Sequence, residues 1–310
     1  MQSALVSTII PVFNRPSMLR EAVASVLAQT YRPIEVIIVD DGSTDDTAEV
    51  ADALAYANAG VVRTIHVANA GPGLAREAGR ALVRGDFVQH LDSDDILLPH
   101  KFEAQVEALR AHPECGVAYG WTHFRHRDGR VEQGPWKGSG NRIETMFPSM
   151  LVSRWWDTPT PLYRASVIDA AGPWTDLRVE EDWEYDCRIA ASGVRLAYCA
   201  EWVCEVREHQ LAYVSPAALR DRARSHLLML DHARHASLTN DTHEMQFFAR
   251  DLFRLARECG AVGLDAESRR LVEAARSISN ALDLRVYNVI ARAAGFRSAA
   301  RLATLFQRLR

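Results

Sequence analysis

The sequence predicts an α/β fold, a mainly parallel sheet with helices on both faces, followed by an α-helical C-terminal extension. Three observations predict it. Short β-branched runs alternate with segments of helical period through residue 91, the pattern that crossover connections impose on a parallel sheet. The first two of these runs, over 4–10 and 34–39, are mainly apolar, as strands buried on both faces are. From residue 216 onward the apolar residues recur only at helical spacing.

In chain order, residues 4–10 form the first strand, closed by Pro11. Over 17–29, Met18, Leu19, Ala22, Val23, Val26 and Leu27 mark a helix with Ser17 as its N-cap. Residues 34–39 are a second buried strand, running into Asp40-Asp41-Gly42-Ser43. A helix opens at Asp45 or Asp46 and runs through Ala55, then come a strand over 61–67, a loop over 69–73 and a helix over 74–83. Residues 87–91 are the next strand. After Pro99 the alternation loosens into a helix over 101–111, a strand near 117–121 and a polar excursion over 126–141. A helix over 180–192 and β structure over 196–206 follow, and the later helices break near Thr239 and over 260–263. The expected organisation is a domain of residues 1–215, divisible into 1–100 and 101–215, and a helical extension of 216–310.

The 310 residues are 48% hydrophobic and 25% charged, ordinary for a globular chain. With 36 basic and 40 acidic residues the net charge is -4, which argues against a protein built as a whole to bind nucleic acid. The five cysteines, Cys115, Cys187, Cys199, Cys204 and Cys259, include no CxxC pair and read as reduced, mostly buried thiols. The apolar stretch 4–13 follows no basic region and is far shorter than the ~20 residues of a membrane span. The expectation is a cytoplasmic protein without a spanning helix.

Two acidic clusters stand at strand ends, where open α/β sheets bind ligands. Asp40-Asp41 either accepts hydrogen bonds from a base or ribose, or forms an Asx-turn that caps the next helix. Leu91-Asp92-Ser93-Asp94-Asp95 places three acids within four residues, which repel one another unless positive charge sits among them. A divalent cation resolves this, and hard carboxylate oxygens favour Mg²⁺ or Mn²⁺ over zinc. The plainer alternative is a solvated acidic turn ahead of the helix over 101–111.

Pro11-Val12-Phe13-Asn14-Arg15, the segments 25–31 and 35–45, and the stretches 69–79 and 85–95 together resemble the N-terminal signature of the inverting family-2 glycosyltransferases. The resemblance implies a nucleotide-sugar-binding fold of the A type (GT-A), Rossmann-like in its sheet. It implies that Asp41 reads the base, that Asp92 lies near ribose and metal, and that Asp94 ligates the metal bridging the diphosphate. Arg76 would face the nucleotide, and Pro11, Phe13, Asn14 and Ser93 would line the donor site. The chain departs from the pattern at Glu77, where many relatives carry Asn, and at Phe13, where Tyr is common.

Val179-Glu180-Glu181-Asp182-Trp183 resembles the family's Glu-Asp motif, which makes Asp182 the general base and Glu181 a neighbour that holds the acceptor. On the residues alone, these acids equally serve the dipole of the helix they begin. Val206-Arg207-Glu208-His209 is similar to an Arg-x-x-His-type segment, so that Arg207 neutralises the leaving diphosphate and His209 ligates the metal or touches phosphate. A lone histidine also reads as an ordinary hydrogen-bonded residue. Trp136, Trp155 and Trp156 are either sugar-stacking faces or core, Trp183, Cys187 and Ile189 read as core, and Arg164 falls on the acceptor side.

The implied reaction is a metal-dependent, inverting transfer from a nucleotide-diphosphate sugar, UDP-linked by preference, to a hydroxyl of a glycan, glycolipid or other acceptor. A sugar-phosphate nucleotidyltransferase would need a glycine-rich basic loop after the first strand, and residues 11–16 hold no glycine. A non-catalytic nucleotide- and metal-binding module would have no use for Glu181-Asp182. Over 281–310, Arg285, Arg292, Arg297, Arg301, Arg308 and Arg310 face a single acid, Asp283, among Leu282, Leu284, Val286, Ile290, Phe296 and Leu302. Such a basic amphipathic stretch either packs on its own chain or a second subunit, or lies peripherally on the inner face of a membrane.

Overall fold

The computed structural model describes residues 4–208 and 215–308. Contacts divide the chain into two compact units, one of Met1–Met146, Arg154–Asp176 and Ser192–Gln210, the other of Phe147–Ser153, Leu177–Ala191 and Leu211–Arg310.

Among the described residues the first unit holds one eight-stranded sheet in the order β3-β2-β1-β4-β7-β6-β8-β5. Its strands are β1 (Val6–Val12), β2 (Ile34–Asp40), β3 (Val62–His66), β4 (Phe87–His90), β5 (Ile96–Leu97), β6 (Cys115–Arg125), β7 (Leu162–Arg164) and β8 (Arg195–Arg207). β1 to β4 run parallel, as do β6 and β8, while β7 is antiparallel to both β4 and β6, and β5 to β8. Helices α1 (Pro16–Leu27), α2 (Thr47–Ala57), α3 (Pro72–Arg80), α4 (Lys101–Ala111) and α5 (Ala165–Ala171) complete the unit.

Strand alternation assigns the two faces. Val6, Ile10 and Val12 of β1 and Ile34, Val36 and Ile38 of β2 join Leu19, Ala22, Val23 and Val26 of α1 and Val50 and Ala51 of α2 in one core. The opposite face meets α3 so closely that a Cβ on Gly79 would stand 2.5 Å from Ile9 Cγ2 and 3.1 Å from Val39 Cγ2. Layers on both faces are thus present, as the sequence predicts.

Three details differ from the sequence reading. β1 continues through Pro11 to Val12, because β4 has left the ladder at Ile9↔His90 and a missing N–H costs nothing there, while Pro11↔Val39 stays in register with β2. α1 and α3 begin at Pro16 and Pro72, each at the first or second helical position, where proline's fixed φ suits a helix start. β5, β7 and α5 are too short to carry a period.

The second unit contains the short 3₁₀ turn Ser149–Leu151, α6 (Glu181–Ala191), α7 (Pro216–His235), α8 (His243–Ala261), α9 (Asp265–Ile278), α10 (Leu282–Ala294) and α11 (Phe296–Arg308). Ser215 Oγ accepts the Ala218 N–H at 3.1 Å and Thr242 Oγ1 that of Met245 at 3.3 Å, capping α7 and α8. Leu284, Tyr287, Ala291, Phe296, Ala299 and Ala300 are buried, whereas Leu282, Val286, Val289 and Leu302 are exposed. The amphipathic stretch therefore spends part of its apolar surface on the core of its own unit. Among the described residues no helix is long and apolar enough to cross a membrane.

Candidate functional site

The loops after β1 and β2 are knitted together. Asn14 adopts a left-handed backbone (φ 52°), which asparagine tolerates better than most residues. Its N–H donates to Ser43 Oγ at 3.0 Å, its Oδ1 accepts the Thr44 N–H at 2.8 Å, and the Arg15 N–H reaches Thr47 Oγ1 at 2.9 Å. Asp41 is buried, and its two carboxylate oxygens accept the N–H groups of Ala70 at 2.8 Å and Gly71 at 2.9 Å. It thereby anchors the loop that launches α3. Burial pushes the neighbouring Asp40 carboxyl up, but hydrogen bonds from Ser43 and His66 outweigh it and hold the group below its ordinary value.

The acidic turn follows β4 and is closed by the Asp95 N–H on the Asp92 carbonyl at 3.1 Å. Each acid has its own cation or amide. Asp92 pairs with Arg76, whose guanidinium carbon lies 4.9 Å from the Trp174 ring centroid. Asp94 is ion-paired with Arg15. Asp95 accepts the Arg207 N–H at 3.1 Å, and burial, reinforced by the negative charges of Asp94 and Asp92, lifts its carboxyl well above the ordinary range. Arg207 also donates through Nε to the Asp94 carbonyl and pairs with Glu21. Its side chain therefore braces the turn. His90, beneath, lies edge-on to Trp174 at 5.1 Å, and burial, aided by Arg76 and Arg154, lowers its pKa to about 3.

Among the described residues no three His, Cys, Asp or Glu side chains converge as a ready-made metal cage. Asp92 and Asp94 supply two hard oxygen donors, a set that fits an ion such as Mg²⁺, which keeps water and substrate phosphate oxygens in its shell. The three acids are already partnered by Arg15, Arg76 and Arg207, so a cation there would share Asp92 and Asp94 with those arginines. His209, the third expected ligand, lies outside the described residues.

In the second unit Glu180, just before α6, also has a left-handed backbone (φ 59°), a conformation costing roughly 1–2 kcal/mol outside glycine. Its carbonyl accepts the Glu184 N–H at 3.0 Å, the first bond of the helix, and the Ser225 hydroxyl at 3.2 Å. Glu181 is buried, and Asp182 is half-buried with Oδ1 accepting the Trp183 N–H at 2.7 Å. The Trp183 indole N–H donates to the Met150 carbonyl at 2.7 Å.

Of the residues singled out in the sequence, Pro11, Phe13, Asn14, Asp41, Arg76, Asp92, Ser93, Asp94 and Arg207 all lie in the first unit, on or beside the C-terminal ends of β1, β2, β4 and β8. Glu181 and Asp182 belong to the second. Trp155 and Trp156 are buried against Tyr119, with centroids at 5.2 and 5.7 Å, so they are core and present no stacking face. Arg164 caps α4, donating to the Leu109 carbonyl at 2.6 Å and to that of Cys115 at 2.8 Å. The Glu77 departure has a local use: its carboxylate accepts the Trp174 N–H at 3.1 Å and so steadies the residue over which Arg76 lies. Arg15 stands inside the matched segment 11–15 without a role assigned to it there, and Trp174 carries no local sequence signal that sets it apart.

Residues 7–163 match the family model "Glycosyl transferase family 2". An uncharacterized glycosyltransferase of Nostoc sp. is 31% identical over 215 residues, covering 67% of this chain and 63% of the relative. The chain thus spans less than two thirds of that relative's length. Among solved structures, S. aureus TarS 1-349 in complex with UDP and with UDP-GlcNAc gives TM-scores of 0.73 and 0.72 at 19% identity, each over 98% of this chain and 92% and 91% of the other. Mannosyltransferase PcManGT from Pyrobaculum calidifontis, in complex with GDP-Man and Mn2+, gives 0.53 at 15% identity, over 97% of this chain and 87% of the other. At these identities the structural likeness is one of fold.

Proposed function

This chain belongs to glycosyl transferase family 2, and from that premise we propose that it is a metal-dependent, inverting glycosyltransferase. Its donor is a nucleotide-diphosphate sugar, UDP-linked, and its acceptor is a hydroxyl of a glycan, glycolipid or related conjugate. The observation that carries the reading is the acidic turn after β4, where Asp92 and Asp94 stand in one loop, one paired with Arg76 and the other with Arg15. Support for the donor comes from the UDP and UDP-GlcNAc held by TarS, and for the cation from the Mn2+ bound with GDP-Man in PcManGT.

In this reading Asp41 accepts from the base through lone pairs beyond those used by Ala70 and Gly71. Asp94 and Asp92 would hold a divalent cation, Mn²⁺ or Mg²⁺, which when bound would supply charge neutralisation to the diphosphate. Arg207 keeps the turn in shape through the Asp94 carbonyl and the Asp95 carboxylate. Asp182 takes the proton of the acceptor hydroxyl, and its place in the first turn of α6 favours its ionised form. Glu181 holds the acceptor. A single displacement without a covalent intermediate inverts the anomeric centre.

The test is release of nucleoside diphosphate from a panel of nucleotide sugars with Mn²⁺ and candidate acceptors. Turnover is expected to fall about 10²–10⁴-fold in Asp182→Asn, the usual contribution of general base catalysis. Pyrophosphate released from a nucleoside triphosphate, or unchanged turnover in that variant, overturns the proposal.

A further inference from the structure

Six side chains of the second unit close a ring of alternating charge beside the start of α6. Glu180 Oε1 accepts from Arg222 Nε at 2.8 Å, and Arg222 Nη1 lies 3.5 Å from Glu258 Oε2. Glu258 Oε1 accepts from Arg254 Nη1 at 2.6 Å, and Arg254 Nε and Nη2 donate to Asp251 Oδ1 at 2.9 and 2.6 Å. Asp251 Oδ2 lies 2.9 Å from His226 Nε2, and His226 Nδ1 lies 3.1 Å from Glu180 Oε2, which closes the ring.

His226 is wholly buried, stacked on Phe248 with centroids 5.7 Å apart and edge-on to Trp183 at the same distance. Its Nδ1 also faces the Arg222 carbonyl at 3.0 Å. Both ring nitrogens therefore look only at acceptors, and a neutral imidazole has a single N–H to offer. Only the imidazolium satisfies the site. Burial opposes that charge, but the hydrogen bond to Asp251 and the Glu180 carboxylate paired with Nδ1 outweigh it and raise the pKa to about 9. Three acids then face three cations.

The network is buried at His226 and open to solvent at Arg254 and Glu258, and neither kind of ion pair adds much net stability, so fixed geometry is the better account of it. Arg222, Ser225 and His226 sit at positions i, i+3 and i+4 of α7 and meet Glu180 at its carboxylate and its carbonyl. Glu184, one turn into α6, is tied to the same helix through His232 at 2.8 Å. We propose that His226 is a positioning residue, holding Glu180 in its left-handed conformation so that the first turn of α6 presents Glu181 and Asp182 in the working direction. The proposal rests on reading Asp182 as the general base.

The test compares His226→Gln with wild type and Asp182→Asn, using the donor of highest turnover and folded protein verified by circular dichroism. For His226→Gln, kcat is expected to fall about tenfold or more with the donor KM nearly unchanged, since misplacing a catalytic group costs rate. Wild-type kcat should decline as pH rises through about 9, where His226 loses its proton. The groups facing it are Glu180 before α6, Arg222 on α7, and Asp251 on α8 with Arg254 and Glu258 behind. That limb should be missing from the variant. If His226→Gln does not fold, Ser225→Ala, which removes only the hydroxyl on the Glu180 carbonyl, should lower kcat several-fold with the donor KM unchanged. Unchanged kcat in the folded variant, with Asp182→Asn inactive, overturns the positioning role and leaves the base assignment standing. An active Asp182→Asn removes the base assignment itself.

Discussion

Arg76 and Asp92 form an ion pair in which the cation is buried and the anion is not: their side chains are 3% and 30% exposed. The guanidinium is fixed over Trp174, so the carboxylate is the partner with room to turn toward another charge. Asp92→Asn is expected to weaken nucleotide binding and also to destabilise the fold by about 2 kcal/mol, because a charged hydrogen bond to a buried group is lost. Thermal melts and nucleotide titrations on the same variant measure both effects.

Asp94 presents the opposite case. Its partner Arg15 is 43% exposed, and pairs with one exposed member contribute roughly 0–1 kcal/mol. Asp94→Asn should leave the melting temperature nearly unchanged while abolishing Mn²⁺-dependent nucleotide binding. Arg15→Ala should raise the apparent affinity for Mn²⁺, since the guanidinium competes for the same carboxylate. A titration in which neither variant shifts the metal dependence contradicts both expectations.

The contact between α3 and the sheet depends on Gly79, where a methyl group would meet Ile9 Cγ2 at 2.5 Å. Gly79→Ala is expected to cost about 1–3 kcal/mol through overpacking, seen as a fall of several degrees in melting temperature. In the double variant with Ile9→Ala the two penalties should sum to less than their separate values, the mark of residues in direct contact.

Two buried bases oppose each other in alkaline solution. His226 has its pKa raised from 6.5 to about 9, so its contribution to stability is complete below pH 6.5 and fades as pH rises through 9. Lys101 donates to Gln105 and to the Thr160 carbonyl, but burial lowers its pKa from 10.5 to about 8, so stability rises between those values as the folded state sheds the proton first. Wild-type melting temperature mixes the two trends. The gap between wild type and His226→Gln isolates the histidine and should be widest below pH 6.5 and narrow past 9.

What the sequence announces and what it hides divide along chain distance. The acids after β2 and β4 are readable because the strand, its end and the turn are contiguous, and strand ends in such sheets are ligand sites. Arg15 is not readable as the partner of Asp94, 79 residues away, nor His226 as that of Asp251, since topology alone brings them together. Trp155-Trp156 shows the remaining difficulty. An aromatic pair has the same composition whether it stacks on a sugar or, as here, fills space around Tyr119.

The connection from β4 to β5 has a further consequence. Only residues 91–95 separate the two strands, yet three strands lie between them in the sheet order, a distance of about 19 Å in a flat sheet. Part of that stretch is folded into the turn closed by Asp95 and Asp92, so it cannot reach across a flat sheet. The strands must curl until β5 comes beside α1, where the Leu97 N–H donates to Ser25 Oγ at 3.1 Å. The acidic segment is thus a chord drawn across an arc, its length set by the curvature it closes. Relatives sharing this curvature should keep its length without inserting or deleting a residue, and should change length instead in the excursion after β6.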